Sequence, residues 1–221
     1  WNIGGSARVV VTHDTDIRAN TYYDALHEPL SSPESPGSAA KPTEFNLYHA
    51  DLAVDHKPDR FGISMGGSTD NYTYDPTSLV GGGVLSNRDR DEDIYTVYGR
   101  VSYDFSPGYA GFLGASYDDR NFALPIDRNG FDRDSSGYQV NAGTDMLLTH
   151  LIRGQLFVGY QVENYEAPLK NVNTFNYGVD FNWYATKLMT VHVSATRAID
   201  DTSLPGASAS NDQTVVAGVD Y

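Results

Sequence analysis

The sequence contains no cysteine, so no disulfide staples it, and such a chain suits the oxidising environment of a cell envelope. It has no run of 18 or more apolar residues, which excludes a transmembrane helix, and its mean hydropathy is negative. Basic residues are scarce. Fifteen Lys and Arg against 29 Asp and Glu leave a net charge of −14, which argues against a nucleic-acid partner. No break in composition divides the chain, so residues 1–221 read as one domain. No signal peptide is visible either. The chain opens in a strand-like run and ends on one at Tyr221, and the expectation is an internal part of a longer protein.

What the chain does have is tyrosine, glycine and a period of two. Sixteen tyrosines and 21 glycines favour strands with aromatic ends over a helical domain. Between Asp93 and Glu166 the pattern is clearest. Tyr95, Val97, Gly99, Val101, Tyr103 and Phe105 alternate with Thr96, Tyr98, Arg100, Ser102 and Asp104. Ile152, Gly154, Leu156, Val158, Tyr160 and Val162 alternate with Arg153, Gln155, Phe157, Gly159, Gln161 and Glu163. Such alternation puts the two sets on opposite faces of a strand, one apolar with aromatic ends and one polar. The joins alternate as well, from tight (Ser106-Pro107-Gly108, Thr149-His150) to long and acidic (residues 122–135). Apolar outside, polar inside, with short turns at one rim and long loops at the other, is the pattern of a transmembrane β-barrel.

The rest of the chain repeats it. Residues 1–11 read as a strand ending in a turn at residues 13–16, with a return strand from Ile17 to Asp24. Residues 27–43 are rich in Pro and Ser and read as a long loop. Phe45–Asp55 is a weak strand pattern, because His49 and Asp51 interrupt its apolar side. A turn at residues 57–59 leads into Arg60–Tyr74, with Phe61, Ile63 and Met65 on one side, and residues 75–92 form a second long loop. Two further strands flank the turn Ala185-Thr186-Lys187, one alternating through Phe175, Tyr177, Val179, Phe181 and Trp183, the other through Met189, Val191, Val193 and Ala195. Gln213–Tyr221 closes the series.

The expected fold is therefore all-β, an antiparallel up-and-down transmembrane barrel with about eleven strands in this chain. Single-chain bacterial barrels have even strand numbers, so about twelve or more are expected in the full protein, the missing partner preceding Trp1. A soluble β-sandwich also alternates, but it has no need for turn lengths that alternate. Its polar face would also favour Lys and Glu over the Asn, Gln, Ser, Thr and Tyr present here.

The runs YDFSPGYAGFLGASYDDRNF, GFDRDSSGY, LIRGQLFVGY and TRAIDDTSLPGAS resemble the outer-membrane β-barrel porins of Gram-negative bacteria. The match is strongest with a porin-2-like group linked with exopolysaccharide export and extends over Asp93 to Tyr221. The resemblance implies an outer-membrane location and barrel fold, with lipid and lipopolysaccharide as surroundings, and polysaccharide or a secretion or surface assembly as partner. It supplies no catalytic residues.

The charged residues expected to face the lumen are Arg8, Arg18, Arg100, Asp104, Asp145, Arg153, Glu163, Asp180 and His192. Such charges either pair and hold strand register or set the selectivity of a water-filled pore. Tyr22, Tyr48, Tyr72, Tyr98 and Tyr184 offer surfaces for sugar rings, or serve as girdle residues. The acidic segments Asp89–Asp93 and Asp127–Asp134 hold oxygen ligands, but the glycine does not fall where a calcium loop of the EF-hand type needs it. No metal or cofactor is expected. A serine hydrolase would need a Ser, a His and an orienting group together. His192 and Ser194 share a face, His13, His56 and His150 lie at tight turns, and nothing near His27 singles it out, so no enzyme is expected. The function read from the sequence is a porin or accessory channel, with a closed scaffold barrel as the alternative.

Overall fold

The computed structural model describes residues 1–202 and 204–221, with the backbone alone at Asp200 and Asp201. Its strands are β1 (Asn2–Thr12), β2 (Thr15–Glu28), β3 (Thr43–His56), β4 (Phe61–Tyr74), β5 (Thr77–Ser78), β6 (Val84–Leu85), β7 (Glu92–Ser106), β8 (Tyr109–Phe122), β9 (Ser135–Thr149), β10 (Ile152–Tyr165), β11 (Val172–Tyr184), β12 (Thr190–Asp201) and β13 (Ala209–Asp220). Eleven of these form one antiparallel sheet in chain order, from β1 to β13, while β5 and β6 make a separate small hairpin. That hairpin and a 3-10 turn at Arg88–Arg90 lie inside residues 75–92, where the sequence pattern suggested only loop. No α-helix occurs among the described residues.

Successive strands reverse direction, so the two edges, β1 and β13, run in the same sense. Antiparallel closure of this sheet takes an odd number of further strands between them. Register slips occur between Val10 and Thr12, Asp104 and Ser106, and Ile152 and Arg153, all beside tight turns. There a bulge twists the strand into its hairpin.

Pleating separates the faces. On one face Val97, Leu113, Val140, Val158 and Phe175 are all exposed, an arrangement unfavourable in water and favourable in a hydrocarbon layer. Aromatic residues border this band. Tyr95, Tyr117, Tyr138 and Tyr160 lie toward the long loops, and Phe61, Tyr103, Phe105 and Trp183 toward the tight turns. Few side chains are buried, because a single sheet has no second layer to pack against.

In β3 the phase differs from the sequence reading. Tyr48, Leu52 and Val54 form the exposed apolar set, so His49 and Asp51 do not interrupt a lipid face; they belong to the polar one. Tyr48 accordingly stands on the apolar side, away from the lumen surface suggested for it.

Candidate channel lining and loop clasp

The polar face carries charges that pair along the wall. Arg8 bonds Asp16 on the neighbouring strand, and Arg18 grips Asp55 of β3 with two nitrogens. His49 Nδ1 lies 2.6 Å from Asp70 of β4, and the Tyr22 ring stacks on His49 with centroids 4.6 Å apart. Lys57 donates to Asp104 at 2.9 Å. Arg100 reaches Asp145, which also accepts from Gln155 at 2.8 Å. Tyr98 donates to Asp51 past Gly66, where any side chain would collide with the Tyr98 hydroxyl. Among the described residues Asp180 accepts only the Asn182 amide, at 2.7 Å. The Arg153 guanidinium lies 5.8 Å from the Tyr184 ring centroid. His192 is half-buried, and its Nε2 has no partner among the described residues. Glu163 is 1% exposed and accepts from Ser135 at 2.7 Å.

Apart from Asp180–Asn182 within β11, these pairs join neighbouring or next-but-one strands or the turn beside them. None crosses the barrel interior at membrane height.

The long-loop rim is different. Glu28, at the end of β2, accepts two hydrogen bonds from Arg90, at 2.9 and 3.3 Å, and Arg90 lies 4.2 Å over the Tyr74 ring. Asp89 accepts three bonds from Arg128, through backbone N–H, Nε and NH2. Asp127 accepts from Arg133 at 2.6 Å and from the backbone N–H groups of Asn129 and Phe131. Arg133 is 2% exposed and spends its remaining donors on the carbonyls of Thr202, Leu204 and Ala207. Thr202 in turn donates to Glu34. Loops that follow β2, β4, β8 and β12 are thus clasped together. Beneath them lies a cavity of about 480 Å³, lined among others by Glu28, Glu34, Tyr72, Arg90, Arg120 and Arg133.

The clasp explains the acidic runs that resembled calcium loops. Asp89 and Asp127 are held by arginine and backbone N–H groups, Asp91, Asp132 and Asp134 accept from backbone N–H groups, and Asp93 accepts from the Asn71 amide. Burial works against ionisation of Asp89, but Arg128 outweighs it and holds the carboxyl below the usual range. For Asp127, burial is likewise overcome by the Phe131 N–H and Arg133. Asp91 goes the other way: burial pushes it up more than the Tyr74 N–H pulls it down.

The sequence missed the partners Asp16, Asp55, Lys57 and Gln155, and the whole clasp. Parity places Asp16 and Gln155 on the face of their partners; Asp55 lies on β3, whose phase the sequence misread, and Lys57 lies in the turn between β3 and β4, where parity assigns no face. Nothing local in the sequence announces the clasp, whose members lie as far apart as Glu34 and Thr202.

A single antiparallel sheet with an exposed apolar belt, aromatic borders and a polar inner wall is a transmembrane β-barrel. The chain belongs to the family described as "Putative beta-barrel porin 2", whose model matches residues 1–221. Among solved structures it is similar to a NanC porin in a rhombohedral crystal form, with TM-score 0.50 and 9% identity over 100% of this chain and 98% of that chain. LpxR from Salmonella typhimurium has TM-score 0.47 and 9% identity over 99% of this chain and 86% of that one, too slight a likeness to argue from. A search of curated proteins finds no match. At 9% identity the NanC likeness shows the fold alone.

Proposed function

We propose that the protein resides in the outer membrane of a Gram-negative cell, surrounded by lipid and lipopolysaccharide, and acts there as a passive channel for hydrophilic solutes. The observation that carries this is the way wall charges pair along the wall. The ion pairs Arg18–Asp55 and Arg100–Asp145 and the His49–Asp70 hydrogen bond run along the wall, and among the described residues no such pair spans opposite walls at membrane height, as a water-filled path requires. Surface polysaccharide is a proposed cargo. We do not propose catalysis: the His49–Asp70 pair has the orienting half of a hydrolytic site, but Tyr22 covers the imidazole instead of a nucleophile.

The loop clasp favours a second reading, in which the barrel is closed at one rim and serves as a scaffold for a surface polymer. Planar-bilayer conductance separates the two. Purified protein, shown folded by a faster gel band before boiling, should give ion steps with weak cation preference or none. Folded protein without any conductance would leave the scaffold.

A further inference from the structure

The inner wall carries two phenylalanines in one lateral row, Phe112–Gly143–Phe157–Gly178, across β8 to β11. Phenylalanine on a polar wall needs a reason, since it gains nothing from facing water. Phe112 has one: its ring leans over Gly143, and the Arg100 guanidinium covers it at 3.6 Å from the centroid. Phe157 leans in the same way over Gly178, where a side chain would collide with its ring. It is only half-buried, and among the described residues no ring or cation stacks on it.

Polar groups bracket this ring. In the adjacent row toward the long loops, Asn141, Gly159 and Asn176 are in register. Both asparagine Oδ1 atoms converge on the space left by Gly159, and among the described residues neither has a hydrogen-bond donor. Asn176 is 2% exposed, so these acceptors are desolvated and unsatisfied, a costly state unless something donates to them. In the row toward the tight turns, Gln155 stands between Asp145 and Asp180. Arg100 neutralises Asp145, while among the described residues Asp180 has no cationic partner.

We propose that Phe157, seated on Gly178 and bracketed by Asn141, Asn176, Gln155 and Asp180, is a stacking subsite for a neutral hexose unit moving along the lumen. A sugar ring has an apolar C–H face that fits a flat aromatic and an edge of hydroxyls that donate to amide and carboxylate oxygens. Asp180 repels an acidic sugar. The subsite rests on the channel reading and names its solute class.

Maltohexaose added to one side of a bilayer should interrupt the ionic current of the wild-type channel. Phe157→Ala should weaken that block by about ten-fold or more while the open-channel current persists. Gly178→Val, which displaces the ring, should act alike, and Phe157→Tyr should keep the block. A galacturonate oligomer should block less than maltohexaose; equal block overturns the neutral class. Equal block by wild type and Phe157→Ala overturns the subsite. A second readout does not need conduction: in detergent, Phe157→Trp fluorescence should respond to maltohexaose and not to mannitol, against Trp1 and Trp183 on the opposite face. A response without conductance in any variant supports the subsite and removes the channel; no response overturns the subsite.

Discussion

Arg100 reaches Asp145, two strands away, by laying its guanidinium across the ring of Phe112. The ring shields one side of the cation while Asp145 and Gln155 complete a polar chain. Ion pair, aromatic face and amide on four successive strands, β7 to β10, act as one unit of wall.

The two inner aspartates should therefore differ in what their removal does. Asp180→Asn should shift the reversal potential toward anions and leave stability unchanged, since among the described residues Asp180 holds only the Asn182 amide. Asp145→Asn should shift it similarly but also strand Arg100, at a cost of about 1 kcal/mol for a partly exposed pair. Bilayer reversal potentials and urea unfolding of the same variants check both halves.

Val158 is 66% exposed at the middle of β10. Arginine there should cost about 2–4 kcal/mol of folding free energy in lipid. Arginine at inward Ser116 should cost much less. Gln161 is a poor control despite facing inward, because it is 7% exposed and accepts the Ile199 N–H at 3.2 Å. Equal losses for Val158→Arg and Ser116→Arg in vesicle refolding titrations would reverse the assignment of faces.

Gly159 accommodates both asparagine oxygens and the Val140 carbonyl, leaving no room for a Cβ. Gly159→Ala should destabilise the barrel by about 1–3 kcal/mol, the usual cost of overfilling a packed site. Gly5 is in β1 with nothing within 4 Å of the same position, and Gly5→Ala should be nearly silent in the same unfolding assay.

The clasp should be sensitive to acid. Asp89 and Asp127 are held below the ordinary carboxylate range by their arginines and backbone N–H groups, against the effect of burial. A depressed folded-state value gives stability that is present above the unfolded-state value and lost as pH falls through the folded one. The loops should resist proteolysis at neutral pH and open below roughly pH 4. Asp91, shifted upward by burial, opposes this in a window at higher pH. Hydrogen exchange at residues 75–91 and 123–134 across that range is the measurement. Uniform protection down to pH 2 would contradict it.

The period of two, the alternation of short and long joins and the aromatic ends of strands determined the fold class, because each strand's side chains choose lipid or lumen by parity alone. Hence Val97, Val101 and Val158 could be placed from sequence. Parity failed at β3, where Phe45 and Leu47 at the long-loop end suggested the wrong lipid face; there aromatics and aliphatics lie inside beneath the loops. Tertiary structure decided the rest. Which acid meets Arg100 depends on strand order and shear, since Asp145 is 45 residues away. The clasp required loops from distant strands to converge on Arg133, and Phe157 found its seat only when β11 placed Gly178 beside it. Local pattern fixes which way a side chain points, whereas its partner is set by register between strands that the chain brings together only on folding.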